Sequence, residues 1–138
     1  MATQTSADEL DHAPWDESHV WGRYREVHTT PHSVVRIIEY WAGGRTSVHR
    51  HDAVTETIMV VSGSVRFSIG TDPSSLRGVV AHAGDVVRIP AGTWHAAECV
   101  ATGGDPWAVA VEECHGENAA LGYEILRAAP AIAATPVH

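Results

Sequence analysis

His49-Arg50-His51 sets two imidazoles two residues apart, and on an extended strand that spacing turns both side chains to one face. Glu56 follows across a corner of four residues, and His95 stands far along the chain, directly after the turn Pro90-Ala91-Gly92-Thr93-Trp94. Three neutral imidazoles and one carboxylate suit a divalent ion. They would leave it a net charge of about +1 and, in octahedral coordination, about two open positions for substrate or oxygen. His49, His51, Glu56 and His95 are therefore the candidate metal ligands, because these residue types recur at fixed offsets between glycines. His12, His19, His28, His32 and His138 lack such a setting and read as surface or hydrogen-bonded residues.

The elements that must carry these side chains are short β-branched or aromatic runs cut by Gly, Pro, Asp and Ser, the pattern of an all-β barrel or sandwich with little helix. Strands are expected at Trp21 to His28, Ser33 to Trp41, Ser47 to His51, Thr55 to Val61, Ser64 to Ile69, Gly78 to His82, Asp85 to Ile89, His95 to Val100 and Trp107 to Glu113. Strict alternation from Ser64 to Ile69 predicts Val65, Phe67 and Ile69 on a buried face, with Ser64, Arg66 and Ser68 opposite. Turns are expected at segments such as Ala42-Gly43-Gly44, Ala83-Gly84-Asp85 and Gly103-Gly104-Asp105-Pro106. Residues 1–19 read as a loose arm on which Trp15 packs against the body, 20–127 as one barrel domain and 128–138 as an Ala/Pro-rich tail. Cys114 to Asn118 reads as a loop, and Leu121 to Arg127 as a last strand or short helix.

A length of 138 residues suits a single core. Seventeen acidic against nine basic residues give a formal charge of -8, which repels phosphate backbones and anionic lipid, so neither nucleic acid nor membrane is an expected partner. An apolar run of about 18 residues is absent, and the first residues are neither basic nor apolar, which points to a cytoplasmic location. Cys99 and Cys114 read as reduced thiols.

Two glycine-framed motifs resemble those of the cupins. The first reads Gly43, five residues, His49-Arg50-His51, four residues, Glu56, six residues, Gly63. The second reads Gly84, five residues, Pro90-Ala91-Gly92, two residues, His95, three residues, and then Cys99 where that family usually has Asn. The resemblance implies a single-domain antiparallel jelly-roll β-barrel holding one divalent ion on His49, His51, Glu56 and His95. Fe2+ is favoured, while Mn2+, Zn2+, Ni2+ and Cu2+ also suit imidazole and carboxylate ligands. His82 and His115 fall at no ligand position of the motifs. The implied function is an enzyme acting on a small oxygenated metabolite, with an Fe(II)/O2-dependent dioxygenase foremost. An isomerase or lyase of a sugar or sugar phosphate, and a non-catalytic small-ligand binder, are the alternatives. Trp21-Gly22 with Tyr24, Val60-Val61-Ser62-Gly63 and Ile89-Pro90-Ala91-Gly92-Thr93-Trp94-His95 are similar to the cupin domain of type II mannose-6-phosphate isomerases, which usually have Gln at the position of His49. Pairing into a homodimer is expected, because small barrels leave sheet faces and edges that a second copy covers.

Strand parity puts Ser47 and Arg45 on the ligand side, with Ile58 and Val60 inward after Glu56 and Ala97 and Cys99 inward after His95, so a mostly apolar pocket is expected. Arg45 is a candidate to orient a substrate carboxylate or phosphate. Tyr40 is a candidate to donate a hydrogen bond to a metal-bound ligand, provided its face of the strand turns inward. Parity alone leaves open whether Val34-Arg36-Ile38-Tyr40 or Val35-Ile37-Glu39-Trp41 does so. Trp94 reads as a packing residue rather than a cavity wall.

Overall fold

The computed structural model describes residues 14–100, 107–117, 119 and 126–128. Among them, eleven strands form two antiparallel sheets. One runs β1 (Asp16–His19), β2 (Gly22–Thr30), β3 (Ser33–Trp41), β10 (Trp107–His115), β5 (Thr55–Ser62) and β8 (Val86–Ile89). The other runs β11 (Leu126–Ala128), β4 (His49–His51), β9 (Trp94–Cys99), β6 (Ser64–Gly70) and β7 (Arg77–His82). Non-sequential neighbours such as β3 with β10 and β4 with β9 are what a rolled double sheet requires. No described helix is long and apolar enough to cross a membrane.

The core lies between the sheets and joins Ile38 and Ile58 from the first to Val65, Phe67 and Ala97 from the second. The alternation read from Ser64 to Ile69 holds for its inward set, yet Ser64 and Ser68 are buried as well. A second apolar cluster of Val48, Trp94 and Ala96, joined by Leu76, forms a separate layer. Ser68 pairs in register with Ala96, so this layer shields the serine face from water. Trp94 belongs to it, under the Arg50 guanidinium at 4.8 Å, and is not among the residues lining the cavity described below. Gly63, in the turn from β5 to β6, has φ of 74°, and a Cβ there would lie 2.8 Å from the Trp107 carbonyl oxygen, so only glycine fits.

Two expectations shift at the chain's ends. Asp16–His19, read as the close of a loose arm, pairs with β2, with Asp16 opposite Tyr24 and His19 opposite Gly22. Ring contacts from His19 to Trp21 and Tyr24 hold this edge strand where hydrophobic periodicity gives no signal. Trp15 does meet the body, with the Arg23 guanidinium 4.0 Å from its ring centroid. β10 continues through Cys114 and His115, read as loop, because β3 and β5 supply hydrogen-bonding partners on both sides. Leu126–Ala128 pairs with β4. Residues 1–13, the expected turn at 103–106, residues 121–125 and the tail at 129–138 lie outside the described residues.

Candidate metal centre

β4 is three residues long, and its alternation sends His49 and His51 inward while Arg50 turns out over Trp94. His49 pairs in register with His95, the second residue of β9, which brings the distant histidine beside the other two. One nitrogen from each of His49, His51 and His95 lies within 4.8 Å of the others. Glu56 reaches across from the opposite sheet, with Oε1 3.1 Å from His51 Nε2 and Oε2 2.8 Å from His95 Nε2. The corner that aims His95 is tied to β4 directly, since the Gly92 N–H donates to the His51 carbonyl at 2.8 Å.

Backbone contacts set the tautomers. Nδ1 of His49 lies 2.6 Å from the Ser47 carbonyl and Nδ1 of His95 lies 2.9 Å from that of Thr93. A carbonyl only accepts, so each Nδ1 carries the proton and each Nε2 presents a lone pair, the arrangement in which imidazole ligates metal. Glu56 Oε2 is buried and has no hydrogen-bond partner among the described residues, because the neutral His95 offers it a lone pair and no N–H. A carboxylate oxygen and an imidazole lone pair converging in a buried site call for a cation, so these four side chains fit a divalent ion.

Protonation follows the same logic. Burial and the neighbouring His95 lower the His49 pKa to about 4. Burial alone would raise Glu56, but the His51 and His95 imidazoles outweigh it and hold the carboxyl well below the usual range. Burial would lower His95, but its contact with Glu56 raises it.

The four ligands line a cavity of about 390 Å³. Ser47, Ile58 and Ala97 line it as parity implied, whereas Val60 and Cys99 face inward but join the core. Tyr40 lines it at 3% exposure, which settles the β3 ambiguity: the Tyr40 face turns in and Trp41 turns out. Burial and the nearby Glu112 and Glu56 raise the Tyr40 phenol well above its ordinary pKa, so it remains a hydrogen-bond donor.

Arg45 is not among the cavity-lining residues; it bridges Glu98 of β9 in an irregular stretch where strand parity does not apply. The cation in the cavity is Arg36, on the Tyr40 face of β3 and opposite Glu112 of β10 in register. Its Nε lies 2.9 Å from Glu112 Oε1, Nη2 contacts the same oxygen, and the guanidinium sits 4.6 Å over the Tyr24 ring. The lining is mostly apolar by surface, as expected, but it also carries Arg36, Glu112, Tyr24 and His19. His19, read as a surface residue, is placed there by β1, while His82 bonds Ser64 Oγ at 2.8 Å and takes no part. The inward pattern Ala108, Ala110, Glu112, Cys114 was the available signal for a buried acid on β10. Glu56, Glu112 and Cys114 also cluster within 4.8 Å, but Arg36 already compensates Glu112 there.

A family model described as Cupin domain matches residues 36–107, a little over half of the chain. Among solved structures, the Lactobacillus farciminis oxalate decarboxylase formate complex superposes with a TM-score of 0.64 at 21% identity, covering 76% of this chain and 31% of that one. An uncharacterised conserved protein with a double-stranded β-helix domain from Klebsiella pneumoniae gives 0.65 at 21% identity, covering 91% and 90%. KdgF from a Halomonas species gives 0.61 at 17% identity, covering 84% and 94%. At such identities the likeness is one of fold, and the chain spans about a third of the length of the oxalate decarboxylase. No curated protein matches the sequence.

Proposed function

The chain belongs to the cupin family, and on that premise we propose that it is a metal-dependent enzyme acting on a small oxygenated metabolite. The convergence of His49, His51, Glu56 and His95 on one cavity carries this reading. A divalent ion held by these residues supplies Lewis-acid or redox chemistry at the positions they leave open. Around them, the Tyr40 phenol donates a hydrogen bond to a bound oxygen, while Ile38, Ile58 and Phe67 exclude water from the reacting end. Fe2+ with dioxygenation of the metabolite is the reaction class we put first.

A second reading, an isomerase or lyase, draws support from His19 and Tyr40 on the same cavity, whose imidazole and phenol suit proton transfer to and from a polarised substrate. One experiment separates the two. Protein purified anaerobically without an affinity metal column is assayed for bound elements, and then for oxygen uptake with small acids and sugars. Near-stoichiometric iron with substrate-dependent oxygen consumption supports the dioxygenase. Zinc or manganese with no oxygen uptake supports the isomerase or lyase. No bound metal and no affinity for added metal overturns both.

A further inference from the structure

We propose that Arg36 makes the metal-loaded cavity selective for small monoanionic carboxylates, by donating hydrogen bonds to the carboxylate from the wall contributed by β3. The inference rests on the metal-enzyme reading and adds the substrate class. Among the described residues, and apart from histidines, the charged side chains lining the cavity are Arg36, Glu56 and Glu112. With neutral imidazoles they sum to one negative charge, and a divalent ion turns that into one positive charge. A net positive charge in a cavity walled in part by Ile38, Ile58 and Phe67 favours one anion over a neutral ligand or a dianion.

Position makes Arg36 the recognising group. Its side chain is 12% exposed, and it reaches the same cavity as the four ligands. Glu112 on one side and the Tyr24 ring on the other hold the guanidinium in place, so little rotamer freedom is lost when a ligand arrives. The contact with Glu112 engages Nε and Nη2 on a single carboxylate oxygen, so the pair anchors the guanidinium within the wall. Arg45, the cation suggested by position in the chain, does not line the cavity.

The test uses Co2+-loaded protein with measured metal content, titrated with glycolate and with its neutral isostere glycolamide, and binding is read from the visible cobalt spectrum. Glycolate is expected to bind the wild type more tightly. In Arg36→Gln/Glu112→Gln, which removes both charges of the pair and leaves the net charge of the site unchanged, that preference should fall about ten- to a hundredfold, the loss expected for charged hydrogen bonds. A preference retained in the double variant, with metal still bound, overturns the inference and leaves the metal-enzyme reading intact. Failure of the wild type to load metal overturns that reading itself. Should the double variant fail to fold, the crystal structure of the wild-type metal–glycolate complex decides. A carboxylate oxygen within about 3.2 Å of the Arg36 guanidinium supports the inference, and a carboxylate turned away from Arg36 overturns it.

Discussion

His49 and His95 face each other across the pairing of β4 with β9, their ring centroids 4.3 Å apart, although 45 residues separate them in the chain. Each ring is pinned through Nδ1 to the carbonyl two residues before it, Ser47 for one and Thr93 for the other. The same local device thus orients two ligands on neighbouring strands. The facing of both rings is fixed by the backbone leading into their own strands.

Single replacement of His49, His51, Glu56 or His95 by Ala should weaken divalent-metal binding by at least about tenfold, since even partners behind ligands are worth that much. Elemental analysis after dialysis against a weak chelator measures it. Wild-type protein should also melt at a higher temperature with added metal, by an increment equivalent to about 2.7 kcal/mol at one hundred times the dissociation constant. A chelator should reverse the gain, and the alanine variants should not show it.

The metal-free protein should lose stability as pH falls from about 6.5 to about 4. His49 is lowered to about 4 by burial and by His95, so in that window the unfolded chain takes up a proton that the folded one refuses. By linkage, the stability His49 contributes is present above the unfolded value and lost as pH falls through the folded one. His95 is raised, so its contribution is present below the unfolded value and is lost only as pH rises through its folded one. Urea midpoints across this range should therefore slope less in His49→Asn than in wild type, and equal slopes would refute the assignment.

Breaking the Arg36–Glu112 pair from one side should be costly. Both side chains are buried in the cavity wall, at 12% and 5% exposure, so Glu112→Ala leaves a guanidinium without its carboxylate partner. A loss of about 3–5 kcal/mol in urea denaturation is expected. Arg36→Met/Glu112→Leu should lose much less, because no charge is then stranded.

Neither cysteine should react with iodoacetamide in the folded protein. Cys114 is fully buried, and burial together with Glu112 raises its thiol far above the ordinary range, while Cys99 is 8% exposed within the core. Mass spectrometry should find no adduct under native conditions and two after denaturation.

The candidate metal ligands were legible in the chain because their signals are local: a strand fixes the facing of His49 and His51, and the flanking glycines mark the turns on either side. Gly63 keeps its turn through its own positive φ, whatever lies around it. The same local rules located most of the strands, and Ser33–Trp41 was found at both ends. The charged members of the cavity wall were not legible. Strand parity offers two faces, and on β3 each mixes apolar and charged residues, so only the packing of Ile38 and Tyr40 against the second sheet decides that Arg36 points in. Arg36 is tolerated there because β10 brings Glu112 into register with it from 76 residues away, a partner that no local pattern reveals. His19 enters the cavity for a similar reason, since contacts with Trp21 and Tyr24 hold a strand that lacks its own hydrophobic period. Local pattern thus marked which side chains are candidates to hold a metal ion, and the pairing of β4 with β9 brought them together. The charge and shape of the space beside it came from long-range pairings, whose free energy depends on tertiary neighbours and not on adjacent residues.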